Sequence, residues 1–200
     1  MNFFEEKWNK ITKPELLCQP NIPKPLHGLN PRTIKGEEWW DKKRQEVYAS
    51  TDYHCIACGV RKEEAERYPW LEAHEFWDID YNSGKCEILS IEPLCHYCHN
   101  FIHSGRLGMI LNREKTIEEV IEILEHGFSI LKKNNLKSFP FTKKLAESLG
   151  ADTFAVDSYI VEENSSLKWQ DYYLMFEGKK YKSKFKDRAA WEEYYLTNLD

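Results

Sequence analysis

No stretch of this 200-residue chain approaches 18 consecutive apolar residues, so it holds no candidate transmembrane helix. Its first residues, MNFFEEKWNKITK, lack the basic-then-apolar order of an export signal. Internal repeats and low-complexity tracts are missing too, which excludes repeat architectures. Positive charge is not in excess: the formal net charge is -5, which disfavours indiscriminate binding to nucleic acid but leaves room for a local basic surface. Aromatic residues at 14% and hydrophobic residues at 42% are too abundant for global disorder. The expectation is an intracellular, cytoplasmic protein with a real core and no membrane association.

What the chain does have is cysteine in a meaningful pattern. Of Cys18, Cys55, Cys58, Cys86, Cys95 and Cys98, four form two Cys-x-x-Cys pairs separated by 36 residues. Without an export signal, such spacing favours metal over disulfides. Each pair can aim two thiolates at one ion, and two pairs complete the closed tetrahedral shell of structural zinc. Cys18 and Cys86 fall outside the pattern and read as small apolar fillers.

The rest of the chain reads as α+β. Pro14, Pro20, Pro23, Pro25 and Pro31 argue for an extended N-terminal arm over residues 1–35. GEEWWDKKRQEVY, Gly36 to Tyr48, predicts a helix with Trp40, Val47 and Tyr48 in the core. Trp70 to Asp80 and Lys85 to Leu94 predict two strands joined by the turn YNSGK, followed by a short helix from His96 to Ser104 that ends at Gly105. Thr116 to Lys133 carries helical periodicity and a Thr116/Glu119 capping box. A composition change after Pro140 sets a zinc-stapled domain at residues 36–137 apart from a smaller α+β module at 138–200. In that module a hairpin turns at Glu177-Gly178, and Asp187 caps a helix through Leu196.

A second group of possible ligands surrounds the stretch LCHYCHNFIH, Leu94 to His103. His99 and His103 are four residues apart and share one helix face. Glu72 and His74 are two apart and share one strand face. A hairpin packed on that helix would bring all four to one cleft, suited to a second divalent ion.

EAHE, the hairpin and LCHYCHNFIH together resemble the HNH, or ββα-metal, nuclease family in its four-cysteine zinc subgroup, over roughly residues 53–105. LNPRTIKGEEWWDKKRQEVY is also similar to the flank of phage and bacterial HNH-like proteins. The resemblance implies a ββα-metal core and metal-dependent phosphodiester hydrolysis in DNA, in a bacterial cell or encoded by a phage. It gives His74 the role of general base and His99 and His103 that of holding Mg²⁺, Mn²⁺, Ni²⁺ or Zn²⁺; the Ser90 hydroxyl could orient His74, and Glu72, two residues away, could supply a further carboxylate to the ion. Two positions depart from the family pattern: Ala73 stands where an acid or histidine usually precedes the base, and Ser90 stands where the middle asparagine is usual. Those departures motivate an alternative, a catalytically weak or inactive HNH-like zinc module that binds nucleic acid, RNA included, or a protein partner in phage–host conflict.

Charge is unevenly placed. Lys180, Lys182, Lys184 and Lys186 alternate with Tyr181 and Phe185, so a continuous strand would present a cationic strip to phosphates or to solvent. Residues 62–92, around the candidate site, hold nine acids and three bases. Bound metal would offset part of that charge.

Overall fold

The computed structural model describes residues 12–111, 113–160 and 166–197; the first eleven residues of the expected N-terminal arm lie outside them. The fold is α+β, with seven α-helices and one four-stranded mixed sheet among the described residues. The helices are α1 (Pro31–Lys35), α2 (Glu37–Ser50), α3 (His96–Ile102), α4 (Ser104–Ile110), α5 (Ile117–Lys133), α6 (Pro140–Leu149) and α7 (Arg188–Thr197). The strands are β1 (Leu71–Asp80), β2 (Lys85–Cys95), β3 (Tyr173–Phe176) and β4 (Lys179–Lys182), in the order β1-β2-β3-β4. No helix among the described residues is long and apolar enough to cross a membrane.

Two compact units divide the chain, and neither is continuous in sequence. The first comprises the described residues up to Asn21, then Arg44–His74 and Glu92–Ile160. Its centre is α5, which the apolar face of the periodic pattern buries through Val120, Ile123, Leu124, Phe128 and Leu131. Both hydrogen bonds of the Thr116/Glu119 capping box are present, so two otherwise orphaned N–H groups are satisfied where α5 starts. Helix α3 packs on α5, and Gly127 permits the close approach. A Cβ on Gly127 would lie only 2.1 Å from the Phe101 ring. Phe101 and Phe128 meet edge to face at 5.3 Å, a favoured geometry for aromatic pairs.

The second unit comprises Ile22–Lys43, Glu75–Ile91 and the described residues from 166 onward. Strand β3 runs parallel to β2 with Cys86 opposite Leu174, and β4 returns antiparallel with Tyr181 opposite Leu174. The turn at Glu177 and Gly178 has φ of 48° and 73°, the doubly left-handed form that matches strand twist in a two-residue hairpin. Leu26, Trp77, Cys86, Leu174 and Phe176 form the buried cluster of this unit, so Cys86 is a core filler. Asp187 Oδ1 accepts from Ala190 N at 2.9 Å, the expected cap of the last helix.

Three expectations need correction. The N-terminal arm is not extended throughout: Pro14–Cys18 and Lys24–Leu26 form 3-10 turns and Pro31–Lys35 forms α1, because proline is tolerated in the first turn of a helix. Gly105 does not end the helix after the cysteines. His103 breaks the first segment, with φ -80° and ψ 36°, and Gly105 lies inside α4, where a Cβ would come within 3.3 Å of the Asn21 amide. The small residue serves close packing and not a left-handed turn. The lysine strip is also shorter than the alternation predicts, because β4 ends at Lys182 and the chain bends before Lys184. Lys180 Nζ sits 3.6 Å from the centroid of Tyr173, Lys182 donates to the Gln170 carbonyl at 2.6 Å, and Lys184 lies over Tyr194 at 4.5 Å. These lysines cover aromatic rings of their own unit.

Candidate metal centre

Two groups of possible ligands lie within the first unit. Cys55, Cys58, Cys95 and Cys98 place their sulfurs within 4.8 Å of one another. Cys58 Sγ and Cys95 Sγ are 3.8 Å apart, and a ZnS₄ tetrahedron with bonds of about 2.3 Å has edges of about 3.8 Å, so the group fits that ion. The two knuckles are joined through backbone: Ile56 N–H, inside the first Cys-x-x-Cys, donates to the Pro93 carbonyl at 2.9 Å. Within the first knuckle, Cys55 N–H donates to the Val60 carbonyl at 2.9 Å and Gly59 N–H to the Cys55 carbonyl at 2.8 Å. Burial pushes the Cys98 thiol well up, so full deprotonation of the group calls for a cation.

His126, on α5, places Nε2 3.4 Å from Cys98 Sγ. An N–H there donates to the sulfur and fixes it from outside the shell. Sequence reasoning missed this residue. Its only signal is a lone histidine in an amphipathic helix, 28 positions from its partner.

The second group is His74, His99 and His103, whose ring nitrogens also lie within 4.8 Å of one another. Ring centroids are 4.7 Å apart for His74 and His103, and 4.6 Å for His99 and His103. The elements explain the convergence. β1 supplies His74 near its start; β2 ends at Cys95, and α3 begins at once with His96, so His99 falls on its first turn. His103 follows at the junction of α3 and α4. His74 is 2% exposed, and burial, with the charges of His103 and His99, holds it well below its ordinary value. His103 is held down to about 3 by burial first, then by the charges of His99 and Arg106. Both rings are neutral at pH 7, which leaves lone pairs for a metal.

Glu72 is not grouped with these nitrogens but stands behind them. Its Oε1 lies 2.8 Å from His96 Nδ1 and its Oε2 2.8 Å from His99 Nδ1. Burial alone would raise this carboxyl; hydrogen bonds from His96 and His99, and their charge, hold it well below the usual carboxylate range. A carboxylate facing Nδ1 at this distance helps hold the His99 ring in place. Gln19 Nε2 lies 3.4 Å from His74 Nε2, so this amide bears on which nitrogen of His74 carries the proton.

His96 and Lys115 complete the network: Lys115 Nζ is 3.1 Å from His96 Nε2, and Asn100 Nδ2 donates to the His96 carbonyl at 2.9 Å. Of the residues predicted for the site, the histidines and all four cysteines converge in these two groups, with Glu72 one contact away. Ser90 is half-buried on β2, in the part of the strand that belongs to the second unit, as do Lys180, Lys182, Lys184 and Lys186. Compared with protein-family models, curated proteins and solved structures, the chain gives no match.

Proposed function

We propose that the protein is a metal-dependent phosphodiester hydrolase of the HNH type, acting on DNA, with a zinc-filled cysteine group as staple and the histidine triad as its working centre. One observation carries the reading: a single turn of α3 delivers Cys98 to one ligand group and His99 to the other. A staple alone needs only the cysteines. One buried and two half-buried imidazoles converge beside it, an expensive arrangement of polar rings that an ion would offset.

A divalent ion in the triad would polarise a phosphoryl oxygen and supply a hydroxide at neutral pH. The chain's own residues then have defined tasks. His74 and His103 present neutral nitrogens, and the Glu72 carboxylate, 2.8 Å from His99 Nδ1, helps hold that ring in place. The resemblance alone makes His74 a general base. Its 2% exposure and its grouping with the helix histidines favour a ligand role, which we adopt. Lys115, 3.1 Å from His96 Nε2, brings a cation to the ring that also faces Glu72.

The test is a paired measurement on His74→Ala. Both cleavage and the second ion should be lost while the thiolate zinc stays. Loss of cleavage with both ions retained would return His74 to the role of base; full cleavage would remove it from the mechanism.

A further inference from the structure

Beside the triad lies an aromatic pair that the hydrolytic reading does not use. Trp70 is 48% exposed and stacks on Tyr68, with ring centroids 4.3 Å apart and planes 18° from parallel. Pro69 between them fixes its own φ and restricts Tyr68 to extended backbone, so the geometry costs little chain entropy. Tyr68 in turn meets His96 edge to face at 4.7 Å. From His96 the path runs through Glu72 to His99, each step 2.8 Å. An exposed π face therefore stands three side chains from the proposed reaction centre, with the Lys115 ammonium 3.1 Å from the same His96 ring.

A large exposed indole stacked on a second ring, backed by a cation, matches what single-stranded nucleic acid offers: a flat base on a charged backbone. A base inside a duplex has both faces occupied by its neighbours and cannot stack on a side chain without leaving the helix. Resting on the hydrolase reading above, we infer that Trp70, supported by Tyr68, stacks an unpaired nucleobase next to the scissile phosphate. Lys115 contacts the phosphate of the same nucleotide. The preferred substrate is then single-stranded or locally unpaired DNA, and the platform is a specificity element, not part of the reaction itself.

The experiment uses the zinc-loaded full chain and fluorescence anisotropy with three labelled probes of equal length: a thymidine single strand, the same strand as a duplex, and a strand of abasic sugars. Zinc content and circular dichroism of Trp70→Ala and Trp70→Phe report folding. The wild type should bind the thymidine strand more tightly than the duplex. Trp70→Ala should weaken that binding by about 5- to 150-fold, the range for one stacked base, and Trp70→Phe by much less. On the abasic strand, wild type and Trp70→Ala should bind alike.

Equal loss on the abasic and thymidine strands would overturn base stacking, as would unchanged binding by folded Trp70→Ala. In either case wild-type cleavage would leave the hydrolase reading standing. If the wild type binds and cleaves neither single strand nor duplex, both readings fall. The wild type alone gives a second reading: it should bind the abasic strand more weakly than the thymidine strand, and equal binding of the two would overturn base stacking even if Trp70→Ala fails to fold.

Discussion

Cys98 and His99 are neighbours in the chain and belong to different ligand groups, Cys98 with three other thiols and His99 with two other imidazoles. The helix that carries them starts directly from β2, so whatever holds the cysteines also aims the histidines. The two ligand groups meet at one peptide bond.

The coupling predicts an asymmetry. Cys98→Ser should lose the thiolate zinc and, with it, the second ion, because metal binding in such sites is also folding free energy. His99→Ala should lose only the second ion. Elemental analysis of both purified variants checks this; a Cys98→Ser protein that keeps the second ion would break the link.

Glu72→Gln keeps the shape of the side chain but removes the charge that faces His96 and His99. Affinity for the second ion should fall by about 10- to 100-fold, the usual effect of losing an orienting carboxylate, while the thiolate zinc is untouched. Competition against a fluorescent chelator measures the change. An unaltered affinity would show that the Glu72 carboxylate does not support the second ion's site.

His74 and His103 make a pH prediction with a definite sign. Their folded values lie below the ordinary 6.5 of histidine, His103 at about 3. The unfolded chain therefore binds more protons in that window. The stability they contribute is fully present above pH 6.5 and is lost as pH falls towards 3. Urea denaturation at pH 7.5 and pH 5 should show the loss in the wild type, and a smaller loss in His74→Phe, which has no proton to take up at this position. Equal losses would place the acid sensitivity elsewhere.

Gly127→Ala should destabilise the first unit by about 1–3 kcal/mol, the usual penalty of overpacking, because its Cβ would enter the Phe101 ring. Pairing it with Phe101→Leu, which makes room, should recover part of that loss. Urea midpoints measure both; a neutral Gly127→Ala would mean that α3 can move off α5 without cost.

Features set by local physics were legible in the sequence. The Glu177-Gly178 turn, the Thr116/Glu119 capping box, the Asp187 cap and the hairpin strands each depend on residues a few positions apart. The cysteine pairs were legible for the same reason, since each knuckle is a local turn. Contacts set by tertiary packing were not. Gln19 reaches His74 from 55 residues away, and His126 reaches Cys98 from 28 away, with no periodicity to announce either. Gly105 misled because a glycine after a short helix usually caps it, whereas here it sits inside the next helix against the Asn21 side chain, a contact that spans 84 residues of chain. The lysine alternation misled because side-chain period shows which residues share a face only while the strand lasts, and β4 stops at Lys182.

If the histidine triad, and not the zinc staple, performs the chemistry, its loss must abolish cleavage without touching the staple. Cleavage of supercoiled plasmid and of single-stranded DNA is measured for wild type and His103→Ala, each loaded with thiolate zinc and supplied in turn with Mg²⁺, Mn²⁺, Ni²⁺ and Zn²⁺. The wild type should cleave with at least one ion, and His103→Ala with none although its zinc content and fold are intact. Wild-type protein inert with every ion, or His103→Ala as active as the wild type, would contradict the triad's role.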